Sequence, residues 1–238
     1  MPLYDQIIED ILNDIQHHKL KTGDMLPTEM EISQRYHVSR PTVRTAMIKL
    51  VNQGYLTRIK GKGTFVTEPK ITQASTQFIE SYNQEMKKKG LTPRTVVLEC
   101  SVKTAPEFIC SKLHLSENSQ VIKLRRLRYV LPSDEEKPVL LTTVYIPYQL
   151  APNLIHYDFE TFSLYEVLEK NHILISHVRR ELEVKLLHGQ TAQLLKAKEG
   201  QPAHFISSIG CDSNGQIIEY SESFYPANRN RFIIEISR

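Results

Sequence analysis

The chain has 238 residues, 40% of them hydrophobic and 24% charged, a composition typical of a globular protein with one large or two small domains. No apolar run approaches the ~20 residues of a membrane span, and the first five residues lack the basic segment of a signal peptide. We therefore expect a cytoplasmic protein. Cys100, Cys110 and Cys211 are odd in number and far apart, which predicts buried, reduced thiols and no metal or cofactor.

The first quarter of the chain predicts three helices. Residues 3–19 place isoleucines at helical spacing with acidic residues opposite. Thr28 and Glu31 have the spacing of a capping box, so a short second helix should begin there. Ser39 is predicted to cap a third helix. Its buried stripe is predicted at Val43, Ala46, Met47, Leu50 and Val51.

A small hairpin is predicted directly after these helices. Gly54 ends the third helix, and residues 55–67 have the pattern of two short strands around a glycine-rich turn. Three helices followed by a hairpin form the winged helix-turn-helix arrangement. Residues 68–77 are polar, contain a proline and lack periodicity, so we interpret them as a linker.

The same region has a one-sided charge. Residues 32–67 contain seven Lys and Arg and no Asp or Glu. The basic residues are Arg35, Arg40, Arg44, Lys49, Arg58, Lys60 and Lys62. Two interpretations stay open at this point, a solvated basic face and a face that binds a polyanion such as DNA.

The spacing of the basic side chains favours the second interpretation, a face that binds DNA. Arg40 and Arg44 lie one helical turn apart, so both can face the major groove, which admits a helix. Thr42, between them, is short enough to contact a phosphate or a thymine methyl group. Lys62 at the hairpin tip can reach a phosphate, and Gly63 is expected to remove side-chain bulk so that the main chain can approach the duplex.

Several motifs in this region, in this order, resemble the N-terminal domain of the GntR family of bacterial transcription regulators. The motifs are LPTE (26–29), YHVSRPTVRTA (36–46), LVNQGY (50–55) and GKGTFV (61–66). The resemblance covers residues 3–67. It implies DNA contacts from Arg40, Thr42, Arg44 and the region of Gly63.

Three further positions qualify this picture. Arg35 and Lys49 are candidate DNA contacts, although each also fits a plain surface role. The family often has an arginine where this chain has Met30, so one backbone contact is expected to be missing and Arg40 and Arg44 to carry more of the binding.

The remainder of the chain predicts a mixed domain with an antiparallel sheet. Helices are predicted at 77–90, 163–171 and 189–200, and strands at 121–130, 137–147, 178–187 and on both sides of residues 213–215. Asn214-Gly215 is a strong hairpin signal because both residues accept positive φ.

Two predicted strands carry polar side chains on one face. Strand alternation places Arg126 and Arg128 on the face of Ile122 and Leu124. The arginines either lie on an outer face at the strand end or line a pocket for anions, since an unpaired buried cation costs several kcal/mol. In the last hairpin, the residues that share a face are Ile217, Glu219, Ser221, Ser223 and Tyr225, a row that can bind ligand hydroxyls. The helix start at Ser163 offers amides for an anion, weakened by the charge of Glu166.

Residues 77–238 resemble the UTRA effector-binding domain of the HutC subfamily of GntR regulators. The matching pieces include VIKLRRLRYV (121–130), SLYEVLE (163–169) and NGQIIEYSESFYPANRNRF (214–232). The resemblance implies a chorismate-lyase-like antiparallel sheet with flanking helices. The ligand contacts it implies are Arg126, Arg128, Ser163, Tyr165, Glu219 and Tyr225.

These resemblances predict an α/β (α+β) protein with a DNA-binding domain (1–67), a linker (68–77) and an effector-binding and dimerisation domain (78–238). The implied function is transcription regulation, commonly repression, by a homodimer on a pseudo-palindromic operator. The effector is expected to be a phosphorylated sugar, with a small carboxylate as the competing class. Thr142 or Thr143 stands where members that bind amino sugars place a glutamate, which favours a non-amino sugar.

Two other functions remain open from the sequence alone. A lyase-like enzyme on the same fold would use histidines for acid–base chemistry, but no nucleophile–base pair or metal-ligand spacing supports one. Nonspecific architectural DNA binding would show no preference for a palindrome.

Overall fold

The computed structural model describes residues 2–17, 19–67, 69–73, 82–131 and 137–234. The chain divides into two compact units, residues 1–71 and 72–238. Within the described ranges, no helix is both long and apolar enough to cross a bilayer. The three cysteines are free thiols, but only Cys110 is buried, whereas burial is predicted for all three.

The first unit consists of three helices and a hairpin, as the sequence predicts. The helices are α1 (Leu3–Gln16), α2 (Glu29–Tyr36) and α3 (Arg40–Asn52). The hairpin pairs β1 (Leu56–Ile59) with β2 (Gly63–Val66) in antiparallel register. This is the winged helix-turn-helix arrangement.

Local hydrogen bonds set the helix ends. The Thr28 amide donates to the Glu31 carboxylate at 2.7 Å, and the Thr28 hydroxyl accepts from the Glu31 amide at 3.3 Å, which confirms the capping box. Helix α1 is shorter than the predicted 3–19, because the amides of Lys19 and Leu20 both turn back to the Asp14 carbonyl.

A shared core holds the first unit together. The predicted stripe of α3 is buried at all positions but Val51, which is half-buried. It packs with Ile7, Ile8 and Ile11 of α1 in one cluster. Burying side chains of this size contributes roughly 1.5–3 kcal/mol each, which fixes the opposite face of α3 toward solvent.

The second unit is built on one six-stranded antiparallel sheet, which confirms the predicted fold class. Its strands, in spatial order, are β4 (Thr92–Thr104), β5 (Gln120–Leu131), β6 (Leu140–Pro147), β9 (Ile217–Pro226), β8 (Pro202–Cys211) and β7 (His177–Leu186). Short strands β3 (Ile71–Gln73) and β10 (Asn230–Phe232) form a separate pair. A strand therefore lies inside the segment predicted as a linker.

Helices flank this sheet. They are α4 (Tyr82–Lys88), α5 (Glu107–Leu113), α6 (Leu164–Lys170) and α7 (Gly189–Leu194). Helix α6 packs on one face of the sheet, against Ile122, Leu124 and Val144. Helices α5 and α7 pack on the other face. The first face is the one that carries Arg126 and Arg128 of β5.

Some predicted boundaries differ from the structure. Helix α7 stops at Leu194, short of the predicted residue 200, because Lys196 adopts a left-handed φ of 46°. Helix α4 covers 82–88 of the predicted 77–90, and residues 77–81 lie outside the described part. Strand β4 and helix α5 have no counterpart among the elements predicted from sequence.

Candidate nucleic-acid interface and ligand cavity

Helix α3 presents Arg40 and Arg44 to solvent. The Ser39 hydroxyl accepts from the Thr42 amide at 3.4 Å, so the helix begins at Arg40 as predicted. Arg44 follows one turn later, and both arginines are exposed. Among the described residues neither forms an ion pair. Two such guanidinium groups on one helix face can bind phosphates or guanine edges.

Thr42 and Lys62 also lie at the surface. The Thr42 hydroxyl is 2.9 Å from the Ser39 hydroxyl, and the threonine is half-buried. The Lys62 amide donates to the Ile59 carbonyl at 2.9 Å, which closes the hairpin turn. The Lys62 side chain is exposed at the tip of the hairpin, as predicted.

Gly63 has a structural reason to be glycine in addition to the one predicted. Its φ is +131°, a conformation that side chains rarely adopt. A Cβ there would lie 3.1 Å from the Met25 Sδ atom. The backbone conformation therefore favours glycine here, and the close approach of the main chain to DNA stays a prediction.

Some of the basic residues are already paired. Lys49 Nζ lies 3.4 Å from Asp5 and 4.0 Å from the centre of the Tyr4 ring, so it is held against α1. Arg58 forms an ion pair with Glu29. The acids come from outside the 32–67 window, so the interface carries less charge than the sequence suggests.

Arg35 and Met30 lie on α2. The Arg35 guanidinium is 5.6 Å from the centre of the Tyr36 ring, and the residue is exposed. Met30 is exposed as well. The position where family members often carry an arginine therefore offers no charge here.

The second unit contains a cavity of about 450 Å³. Its walls come from α4, the start of α6 and the face of the sheet formed by β5, β6, β9, β8 and β7. All of the predicted ligand contacts line it, namely Arg126, Arg128, Ser163, Tyr165, Glu219 and Tyr225. Residues from β5, β9 and α6, far apart in the chain, are thus brought to one site.

Arg126 and Arg128 of β5 are buried in this wall. Arg126 is 3% exposed and Arg128 is 6% exposed, so the alternative of an outer face at the strand end is wrong. Arg126 Nε and Nη1 have no hydrogen-bond partner among the described residues. Burial, and then the neighbouring Arg128, lowers the pKa of Arg126. An anion in the cavity would supply the missing acceptors.

Arg128 has weak partners only. Its Nη1 lies 3.4 Å from the Thr95 hydroxyl and 3.5 Å from the Asn83 amide oxygen, and its guanidinium stacks 4.6 Å from the Tyr82 ring centre. Burial lowers its pKa. No acid is bonded to Arg128 within the described ranges, so this cation lacks a counter-charge.

Glu219 and Tyr165 form a buried pair opposite. The Tyr165 hydroxyl donates to Glu219 Oε1 at 2.6 Å. Burial raises the pKa of Glu219, and burial followed by the Glu219 charge raises the pKa of Tyr165. Burial also raises the pKa of Tyr225 to about 12, so this phenol keeps its proton at neutral pH.

A capping box occupies part of the start of α6. The Ser163 hydroxyl accepts from the Glu166 amide at 3.2 Å, and the Glu166 carboxylate accepts from the Ser163 amide at 3.3 Å. The predicted capping box is thus confirmed. The capping box involves the amides of Ser163 and Glu166 and not those of Leu164 and Tyr165, which also line the cavity, so the anion site suggested for this helix start stays a prediction.

Several cavity residues escape sequence reasoning. Lys88 and Lys89 both line the cavity, although they stand in a run of three lysines at a helix end, which by itself indicates only a solvated surface. Arg180 lies in β7, where the dense run of charges gives no signal to single it out. Thr142 lines the wall and bonds to the Ser223 hydroxyl at 3.0 Å.

Comparisons with known proteins agree with this arrangement. Residues 3–66 match the family "Bacterial regulatory proteins, gntR family", and residues 88–231 match the UTRA domain. The chain is 32% identical to the HTH-type transcriptional repressor NagR of Bacillus subtilis (strain 168), covering 100% of this chain and 96% of that protein. It is 28% identical to the mannosyl-D-glycerate transport/metabolism system repressor MngR of Escherichia coli (strain K12), covering 100% and 97%.

A solved structure shows the same architecture. The crystal structure of PhnF from Mycobacterium smegmatis superposes with a TM-score of 0.76 at 26% identity, covering 97% of this chain and 99% of that one. Exposed arginines on a recognition helix and a lined cavity in a separate sheet domain are the two parts such a regulator needs. The chain therefore belongs to the gntR family of bacterial regulatory proteins, with a UTRA domain, and is a DNA-binding transcription regulator rather than an enzyme.

Proposed function

We propose that the protein is a cytoplasmic homodimeric repressor that leaves its operator when a phosphorylated, non-amino sugar binds in the cavity. The observation that carries this proposal is the buried Arg126–Arg128 pair, which lacks acidic hydrogen-bond partners among the described residues. Because uncompensated buried cations are costly, their presence in a cavity wall favours an anionic ligand.

Size and chemistry support a sugar phosphate. The cavity volume of about 450 Å³ lies in the range of small-molecule sites. Arginine binds phosphate oxygens through paired N–H groups. Hydroxyl-bearing side chains supply partners for sugar hydroxyls, and those in the wall include Thr142, Ser208, Ser221, Ser223 and Tyr225.

The acids of the cavity favour a ligand without an amine. Glu219 accepts the Tyr165 hydroxyl, and Glu85 is paired with Lys89. Thr142 bonds to Ser223, and it is one of the two residues, with Thr143, that stand where relatives that bind amino sugars are expected to carry a glutamate. Neither acid is therefore positioned as a dedicated partner for an ammonium group.

A carboxylate is the second candidate anion. The name of the relative MngR contains mannosyl-D-glycerate, which combines a sugar with a carboxylate. The same arginines bind a carboxylate bidentately. Both ligand classes predict the same cavity end for the anion, and a direct ligand comparison separates them.

On the DNA side, the proposed contacts are Arg40, Thr42, Arg44 and Lys62, with Arg35 at the periphery and the Gly63 backbone in the hairpin. Lys49 is left out because it binds Asp5. One module of this size has limited affinity, so a two-fold dimer on an inverted repeat is proposed. The four cationic contacts proposed per subunit would give a log K against log salt slope of roughly −4.

Release follows from linkage. If the ligand favours a dimer conformation that fits the operator poorly, ligand and DNA weaken each other's binding by the same factor. Such coupling is typically about 1–3 kcal/mol, or roughly 5- to 150-fold.

The proposal is tested in sequence. Selection from a random DNA pool should yield sequences with an inverted repeat. Selected sequences without such symmetry would contradict a dimer on DNA. A thermal-shift panel of phosphorylated sugars, their unphosphorylated forms and small carboxylates should then identify a ligand that lowers operator affinity. Arg126→Ala should bind the operator normally and no longer respond to that ligand. An unchanged response would contradict the cavity assignment.

A further inference from the structure

The two edges of the six-stranded sheet differ in protection. At the β4 edge, a bulge between Val97 and Glu99 interrupts the ladder, and the Val97 amide donates to the Glu160 carboxylate at 2.9 Å. Glu99 also holds Lys103 at 2.6 Å. Bulges and covering contacts are devices that keep an edge strand from pairing with another chain.

Among the residues that the structure describes, the β7 edge shows neither a bulge nor a covering contact of this kind. This ten-residue strand keeps one continuous register with β8, from His177 to Leu186, without a bulge or a proline. In the part of the chain that the structure describes, no strand pairs with its outer side. A long, regular edge offers a row of backbone donors and acceptors to another strand.

The side chains of β7 are also unusual for a free edge. Leu182, Val184 and Leu186 share one face and are 50%, 70% and 55% exposed. The opposite face carries Glu183 and Lys185 between them. Lys185 Nζ lies 3.3 Å from the centre of the Phe205 ring, which positions its charge beside the strand.

We propose that β7 pairs with β7 of a second copy of this chain, antiparallel and centred on Val184. In this register Val184 faces Val184 of the partner subunit across the two-fold axis. Leu182 faces the partner's Leu186, so the exposed apolar residues cover one another. On the other face, Glu183 lies opposite the partner's Lys185, and the reciprocal pair repeats the contact.

Charge excludes the neighbouring registers. A two-fold axis perpendicular to the sheet must pass at the level of one residue, which then faces its own copy. Centring on Arg180, Glu181, Glu183 or Lys185 would oppose that charge to itself. Centring on Leu182 would oppose Glu181 to the partner's Glu183. Centring on Leu186 would leave Leu182 without an apolar partner.

This inference rests on the homodimer of the proposed function and specifies its interface. The register makes a charge-reversal test possible. Glu183→Lys or Lys185→Glu alone should weaken the dimer about tenfold, since two attractive cross-strand pairs become repulsive. The double variant should restore wild-type dimerisation in sedimentation equilibrium. Glu181→Lys, on the same strand but without a charged residue opposite it in this register, is the matched control and should leave dimerisation unchanged.

A cysteine test checks the axis directly. Val184→Cys should form an intersubunit disulfide under mild oxidation, because directly opposed residues lie ~4.5–5.5 Å apart. Leu182→Cys should not, because its own copy lies roughly 13 Å away along the strand. The unsubstituted chain, with its three native cysteines, gives the background.

The outcomes are distinguishable. A dimer without the Val184→Cys cross-link, or without rescue by the double charge reversal, overturns this interface and leaves a homodimeric regulator intact. A strictly monomeric chain at micromolar concentration overturns both the interface and the homodimer, while operator selection still tests DNA reading.

Discussion

Two pairs of arginines lie in opposite environments in this protein. Arg40 and Arg44 project into solvent from α3, one turn apart. Arg126 and Arg128 alternate on β5 and are buried in a cavity wall. The first pair retains its hydration in the free protein, while the second pair has lost it without gaining a full set of partners among the described residues.

This difference shows how burial suits arginine to one or the other of the two roles proposed here, DNA binding and binding of a small anion. Solvent-exposed guanidinium groups attract a polyelectrolyte at little cost in folding stability, and salt weakens that attraction. Buried groups reduce folding stability until a matching anion arrives, which makes them selective for a small ligand. The predictions below test this contrast.

The largest effect is expected at the exposed pair. Arg40→Ala or Arg44→Ala should each weaken operator binding about tenfold to a hundredfold, since a bidentate base contact contributes ~1–3 kcal/mol. Fluorescence anisotropy with the selected operator measures this loss. Each variant should unfold within ~0.5 kcal/mol of wild type, because neither side chain forms an ion pair in the described ranges.

Lys49→Ala is the matched control for that experiment. Its ammonium group is held by Asp5, so operator affinity should change less than about threefold, or ~0.65 kcal/mol. A loss as large as that of Arg40→Ala would show that the α1-facing side of α3 reads DNA, and would contradict the assignment of the interface.

A packing change beside the cavity is expected to have the next largest effect. Gly210 lies opposite Glu219 in the β8–β9 ladder, and an added Cβ would lie 3.0 Å from Glu219 Cγ and 3.3 Å from Ile175. Gly210→Ala should destabilise the protein by about 1–3 kcal/mol, because overpacking forces neighbours out of place. Denaturant unfolding measures this loss. An unchanged midpoint would mean that Glu219 is free to move.

Replacing an arginine of the buried pair should raise the free energy of unfolding, whereas Gly210→Ala should lower it. Arg128→Met keeps the side-chain bulk and removes a buried cation whose hydrogen bonds are 3.4 Å and 3.5 Å long. The free protein should gain about 1 kcal/mol, or about 2–4 °C in Tm. Arg40→Met is the exposed control and should leave Tm within error. A lower Tm for Arg128→Met would show that the cavity wall stabilises this charge in the free protein.

The smallest effect concerns pH. Burial raises the pKa of Glu219 in the folded state, so between its ordinary pKa and the raised one the unfolded chain ionises first. Wild type should therefore lose stability relative to Glu219→Gln as pH rises through this window, and the difference should be constant above it. Urea unfolding at a series of pH values from about 4 to about 7 measures this. Parallel curves at all pH values would contradict the raised pKa.

Local signals in the sequence predict much of the fold. The capping boxes at Thr28 and Ser163 and the apolar stripe of α3 depend on residues within a turn or two of each other. Alternation along β5 and β9 is enough to place Arg126 and Arg128 on one strand face and Glu219 in a second polar row, and both rows line the cavity. Such periodicities survive folding because they are set by backbone geometry.

The parts that escape prediction depend on distant contacts. Strand β4 gives no clear signal because its bulge shifts the inside–outside pattern halfway along the strand. The partners of Lys49 and Arg58, Asp5 and Glu29, come from other helices, and no spacing reveals such pairs. Lysines at the end of α4 line the cavity only because the helix packs beside it.

Strand β7 is both a wall of the cavity and an edge of the sheet, and Arg180 connects the two. The arginine reaches the cavity from a strand whose other side is the bare edge of the sheet within the described residues. A ligand that bound this side chain would therefore act directly on the outermost strand of the sheet. Only one residue would separate the ligand from the edge of the domain, so no longer chain of contacts through the domain interior would be needed.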